Sequence, residues 1–179
     1  MGEQRRRGSL DIVAHRVEDI FVNGVPADPA PASESVTVER VPEVTDEVVE
    51  AVRRLYPQLT EGPVPDGRAI ARVLENGAAI CVARLEGHIV GMGTFATVTV
   101  MTGTTAHVED VVVDSGVRGR GIGELLMREL ITMARSAGAD QMTLTSGPSR
   151  EAANRLYRRL GFALGGTNYY WLDLDPVSE

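Results

Sequence analysis

Residues 111–123 read Val111-Val112-Val113-Asp114-Ser115-Gly116-Val117-Arg118-Gly119-Arg120-Gly121-Ile122-Gly123. A β-branched run gives way to Gly119, Gly121 and Gly123, and beyond them the pattern changes to that of a helix. Ile122, Leu125, Leu126, Leu130, Met133, Ala134 and Ala137 share one stripe, while Glu124, Arg128, Glu129 and Arg135 lie off it and Gly138 closes the helix. Glycine lets the backbone pass close to a bound group and take positive φ. The first amides of a helix have no partner within it, and the dipole adds about half a positive charge there. The turn therefore reads as a phosphate cradle, with Arg118 and Arg120 adding formal charge. It is not a P-loop, since no Gly-Lys-Ser/Thr follows, nor a dinucleotide fingerprint, which needs glycine where Glu124 stands. A tight helix start without a ligand is the plainer alternative. Glycines inside a regular helix cost about 1 kcal/mol each, so packing alone seldom explains such a cluster.

Working back toward the N-terminus, Thr104 to Asp114 is the third strand of a meander. The two before it, Ala78 to Leu85 and His88 to Met101, meet at the hairpin signal Glu86-Gly87. Ahead of these come a short strand, Val36 to Val41, and a helix capped by Thr45. That helix carries Val48, Val49, Val52 and Leu55 at helical spacing and stops at Pro57. A second helix runs from Asp66 to Glu75 and ends at Asn76-Gly77. After the long helix, Gln141 to Thr145 reads as a strand and Ser149 to Leu160 as a helix. Gly161-Phe162 opens a terminal strand pair ending at Leu172 or Leu174. The order β-α-α-β-β-β-α-β-α-β-β predicts a mixed α/β domain.

Arg118-x-x-Gly121-x-Gly123 matches the acyl-CoA-binding signature Gln/Arg-x-x-Gly-x-Gly/Ala of the GNAT N-acetyltransferase superfamily. The helix carrying Leu156-Tyr157 and then Gly161-Phe162 resembles that family's downstream block, and the strand from His107 to Val113 precedes the signature at the expected distance. The resemblance implies a GNAT-type α/β fold: a central, mostly antiparallel mixed sheet flanked by helices, with its fourth and fifth strands splayed. It also implies acetyl-CoA as co-substrate, its pantetheine arm lying in that gap, and no metal. Val111 and Val113 would offer main-chain groups to the arm, with Val112 beside them; a buried strand would show the same valines. The amides from Arg118 through Gly119, Arg120, Gly121 and Ile122 to Gly123 would hold the diphosphate. Asn154, one turn before Tyr157, would bond the pantetheine or phosphate end. Here the chain departs from the family, which often has its asparagine where Ala153 or Arg150 stands.

Acetyl transfer to an amine sets two proton problems. An alkyl ammonium with a pKa of about 10.4 is neutral in about one part in a thousand near neutral pH. A base must take its proton, and an acid should protonate the departing thiolate; a positioned group gives about 10²–10⁴-fold. Tyr157, at the spacing of the family's leaving-group tyrosine, is the expected acid, with an ordinary amphipathic core tyrosine as the alternative. Glu109 is the favoured base, or else it orients substrate or water. Strand alternation predicts His107, Glu109, Val111 and Val113 on one face and Asp110 on the other. Glu109-Asp110 resembles the acidic pair of the glucosamine-phosphate branch of the family. His107 falls where the histone-acetyltransferase branch has its basic glutamate, but by itself it reads as a surface or core histidine. Cys81, between Ile80 and Val82, reads as core.

The 179 residues carry 18 Lys+Arg against 25 Asp+Glu, a net charge of −7, which argues against nucleic acid and anionic membranes as partners. No apolar run approaches the roughly 18 residues a membrane span needs. A lone cysteine excludes an intrachain disulfide or a multi-cysteine zinc site. Arg5, Arg6 and Arg7 lack the apolar stretch of an export signal and read as a solvated terminus, so a reducing cytoplasm is expected. Pro26, Pro29 and Pro31 mark a linker. Residues 1–35 are thus expected as a partly flexible extension, with Leu10 to Val22 a strand or interface arm, and 36–179 as the acyltransferase domain. The expected function is acetyl-CoA-dependent transfer of an acetyl group directly to a primary amine, more readily of a small molecule than of a protein. A non-catalytic acyl-CoA-binding module on the same fold is the alternative. The resemblance implies an acceptor pocket built from the early helices, the hairpin regions and the last strands, where Tyr56, Glu61, Asp66, Arg68 and Asn168 to Trp171 suggest a mixed polar and aromatic lining that does not choose the acceptor. A homodimer is expected from family habit alone.

Overall fold

The computed structural model describes residues 35–166 and 168–172; the expected extension, apart from Ser35, and Leu174 lie outside them. The elements are β1 (Val36–Arg40), α1 (Asp46–Leu55), a 3-10 turn (Tyr56–Gln58), α2 (Gly67–Glu75), β2 (Ala79–Leu85), β3 (His88–Val100) and β4 (Gly103–Val113). A second 3-10 turn (Ser115–Val117) leads to α3 (Ile122–Ser136), β5 (Gln141–Leu144) and α4 (Glu151–Arg159). Both early helices start at the caps marked in the sequence. The Thr45 side chain accepts from the Val48 amide at 3.3 Å, and Asp66 accepts from the Ala69 amide at 2.8 Å.

The strands form one sheet in the order β1-β2-β3-β4-β5, antiparallel except for the parallel β4–β5 pair. One face packs on α1 and α2 through Val48, Val52, Leu55, Ile70, Ile80, Met92 and Val112. The other packs on α3 and α4 through Cys81, Phe95, Val108, Leu126, Leu130 and Tyr157. Side chains so fully buried contribute about 1.5–3 kcal/mol each relative to exposure. The stripe expected on α3 departs at three positions: Leu125 and Ala137 are exposed, whereas Met127 is fully buried.

β4 holds the feature that matters most for the site. Its register on β3 shifts between the pairs Thr94↔Glu109 and Met92↔Val112, so Asp110 and Val111 oppose the single residue Gly93. Such a bulge inserts one residue and reverses the alternation beyond it. Ala106 and Val108 face α3 before the bulge and Val111 faces it afterwards, while Val112 turns to the α1–α2 core. The expected common face of His107, Glu109, Val111 and Val113 is therefore broken: His107 and Glu109 point opposite to Val111.

The expected terminal strand pair is also absent among the described residues. Residues 162–166 and 168–172 carry no strand. Leu164, Tyr169, Tyr170, Trp171 and Leu172 stay exposed, and Tyr169 stacks on Trp171 with ring centroids 6.2 Å apart. The apolar run records strand propensity, but a ladder also needs an edge to bond, and this segment makes none with β5.

Candidate active site

β4 and β5 are paired from Thr105↔Gln141 to Val108↔Leu144 and then part, so that among the described residues no strand pairs with Glu109–Val113 on that side. His107 Nδ1 and Thr143 Oγ1, 3.1 Å apart, bridge the two strands just before they separate. The fourth and fifth strands are splayed, as the resemblance implies. Beyond the split, the Val111 carbonyl accepts from Arg150 Nη2 at 3.1 Å and the Val113 carbonyl from Arg118 Nε at 2.9 Å. The Val112 side chain is buried on the far side. Val111 and Val113 thus present carbonyls outside the β3 ladder, where a ligand amide can replace a guanidinium.

The turn after β4 divides its amides into two sets. Ser115 donates to Gln58 Oε1 at 2.8 Å, Gly116 to Asp114 Oδ1 at 3.0 Å, and Val117 to the Asp114 carbonyl at 3.1 Å. Among the described residues no acceptor takes the amides of Gly119, Gly121, Ile122 or Gly123. Gly119 (φ 84°) and Gly121 (φ 78°) hold the left-handed conformation that aims these amides outward, and Gly121 caps α3. Glu124, the acid of the first turn, is engaged by Arg128 at 2.7 Å and Arg159 at 3.5 Å. The hydrogen bond from Arg128 leads the causes that hold its pKa below the usual range. The positive end of α3 is left to an incoming anion.

Ser146 Oγ, in the loop after β5, is buried and has no hydrogen-bond partner among the described residues. An orphaned hydroxyl, two replaceable carbonyls and a set of unclaimed amides fit the amides and diphosphate of an acyl-CoA. Asn154 gives its Nδ2 to the Gly147 carbonyl at 3.0 Å, which shapes the loop between β5 and α4. A cavity of about 430 Å³ lies elsewhere, along the free edge of β5, and is lined by Ile131, Gln141, Met142, Leu160 and Phe162. It adjoins the segment expected as the terminal strand pair and is remote from the turn.

Tyr157 is buried from α4 against the sheet, edge-to-face on Phe162 with centroids 6.0 Å apart. Burial raises its pKa, opposed by the charge of Arg150, so the phenol keeps its proton at neutral pH. Glu109 points to the opposite face of the sheet. Desolvation first and the neighbouring Asp110 second hold its carboxyl above the usual range, with His107 acting against them. Asp110 accepts from Thr94 Oγ1 at 2.9 Å, a structural engagement at the bulge. Tyr157 and Glu109 therefore lie on opposite faces of the sheet, and the pKa of each is raised by burial before any other cause. The sequence marks Arg150 only as a departure from the family pattern, and nothing in it brings Ser146, Arg54 or Gln58 to the site. The departure at Arg150 was the available signal; Ser146 and Gln58 carried none.

The model of the Acetyltransferase (GNAT) family matches residues 45–162. The chain belongs to the GNAT acetyltransferase family. Among its GNAT relatives, glucosamine 6-phosphate N-acetyltransferase of Trypanosoma brucei brucei is 32% identical over 117 residues, covering 60% of this chain and 78% of that one. Glucosamine 6-phosphate N-acetyltransferase 1 of Oryza sativa subsp. japonica is 40% identical over 60 residues, and the match spans only 34% of its length and 34% of this chain. The crystal structure of an acetyltransferase from Trypanosoma brucei superposes with a TM-score of 0.63 at 27% identity, covering 78% of this chain and all of that one. Among the described residues no helix is long and apolar enough to cross a membrane, and no three His, Cys, Asp or Glu side chains are grouped to hold a metal ion.

Proposed function

We propose that residues 36–179 form an acetyl-CoA-dependent N-acetyltransferase that delivers the acetyl group directly to the primary amine of a small molecule. The observation that carries this is the set of unclaimed amides at Gly119, Gly121, Ile122 and Gly123, set beside a sheet that opens between β4 and β5. Those amides, with Arg118 and Arg120, would hold the diphosphate. The carbonyls of Val111 and Val113, the hydroxyl of Ser146 and the Asn154 turn would take the pantetheine end. Bound there, acetyl-CoA supplies an activated thioester. Glu109 takes the proton that the ammonium form of the acceptor must lose, and Tyr157 holds a proton for the departing sulfur. The names of the relatives make an amino sugar phosphate, glucosamine 6-phosphate, the first acceptor to try.

Purified full-length protein with acetyl-CoA and a panel of amines, including glucosamine 6-phosphate, aminoglycosides, polyamines and a peptide terminus, tests the reading through release of free thiol. Thiol release that depends on an amine supports it. Tight binding of acetyl-CoA without turnover on any amine would favour the non-catalytic module. The reading includes a cytoplasmic address and a homodimer, which cell fractionation and light scattering test.

A further inference from the structure

Arg54 lies in the last turn of α1 and turns its guanidinium onto the Asp114 carboxylate and the Ile89 carbonyl. Asp114 is where β4 enters the turn. Besides accepting from Gly116 and Val117, it donates its own amide to the Val90 carbonyl at 2.8 Å. Arg118 stands four positions further along the chain. A carboxylate at the mouth of a phosphate cradle repels the anion that the cradle is built to hold, unless a cation cancels it. Arg54 is 45% exposed and Asp114 22%, so water screens the pair in part and its contribution to stability is modest. Nor is Arg54 needed to answer the α1 dipole, since Arg53 stands in the same last turn. From the same side, Gln58 fastens the Ser115 amide.

We propose that Arg54 is a positioning residue for the diphosphate of the acyl carrier. It cancels the charge of Asp114, while Gln58 ties the first half of the turn to the α1 side so that the second half keeps its amides aimed outward. This rests on the acetyl-CoA reading. The test is calorimetric titration of the full chain with coenzyme A, alongside steady-state kinetics, for wild type, Arg54→Gln, Arg54→Lys, Asp114→Asn and the double variant Arg54→Gln/Asp114→Asn. Loss of one charge-assisted partner predicts coenzyme A binding about tenfold weaker in Arg54→Gln. KM for acetyl-CoA should rise in step while kcat holds. Arg54→Lys should keep most of the affinity, and Asp114→Asn should bind at least as tightly as wild type. The double variant should recover most of the loss, a rescue that a merely structural role would not give. Wild-type affinity in Arg54→Gln overturns the proposal, as does a loss that Asp114→Asn fails to restore. A wild-type chain that does not bind coenzyme A removes the acetyl-CoA reading and this proposal together.

Discussion

The Thr94 hydroxyl donates to the Asp110 carboxylate at 2.9 Å, and Asp110 sits at φ 55°, where few residues other than glycine are at ease. This bond fixes the β4 bulge. The bulge sends Glu109 to one face of the sheet and Val111 to the other, beside the open gap. Strain held at such a place costs of order 1–3 kcal/mol and persists because the surroundings over-determine it. Asparagine tolerates the same conformation and can still accept from Thr94, whereas valine can do neither. Asp110→Asn should therefore leave stability near wild type, and Asp110→Val should lower it by about 2 kcal/mol in urea unfolding. Equal stability of the two would mean that the bond does not hold the bulge.

Asp110→Asn, set beside Glu109→Gln, also gives a pH test. With Glu109 as the base, kcat/KM rises with pH as its carboxyl loses a proton, at a midpoint above the ordinary carboxylate range. Asp110 is the second cause of that elevation. Removing its charge in Asp110→Asn lowers the pKa of Glu109, so the acid limb should move to lower pH. In Glu109→Gln the limb should vanish and kcat should fall by about 10²–10⁴-fold. A limb that moves upward in Asp110→Asn, or survives in Glu109→Gln, assigns the base elsewhere.

Tyr157→Phe keeps the ring against Phe162 and removes only the hydroxyl. The expected result is an unchanged melting temperature, unchanged affinity for coenzyme A, and kcat lower by about 10²–10⁴-fold. Because burial raises the pKa of Tyr157, activity should decline on the alkaline side only above the ordinary tyrosine range. Arg150 opposes that rise, so Arg150→Gln should move the alkaline limb higher still. Stopped-flow detection of free thiol across pH reads both effects.

Two glycines of the turn should behave differently. Gly121 caps α3 at φ 78°, so Gly121→Ala forces a side chain into the left-handed region at about 1–2 kcal/mol and tilts the amides. Gly123 is ordinary helix, and a methyl group there would meet Leu156 at 3.5 Å and Val113 at 3.7 Å, both tolerable. Gly123→Ala should fold as stably as wild type or more so. If it nevertheless weakens coenzyme A binding, the ligand itself passes close to that Cα. Thermal melts beside calorimetry separate the two cases.

Much of the fold is legible in the sequence because local signals and tertiary contacts agree. Thr45 and Asp66 cap where caps are expected, and Glu86-Gly87 turns the hairpin. The change of period after Val113 marks the strand-to-helix turn on which the site depends. What escaped reading depended on contacts distant in the chain. No local pattern announces that Thr94 will meet Asp110 and reverse the alternation of β4, or that Arg150 will reach the Val111 carbonyl. The Gln58 bond to Ser115 spans 57 positions and leaves no trace in either segment. The aromatic run from Tyr169 has the composition of a strand, but the edge it would need is not encoded within it.

Calorimetric titration of the intact chain with coenzyme A, repeated on Gly121→Ala, bears most directly on the claim that the amides at the head of α3 grip a diphosphate. Saturable one-site binding in the wild type, weakened at least about tenfold in the variant, is the predicted result. No heat in the wild type, or the same affinity in both, would contradict it.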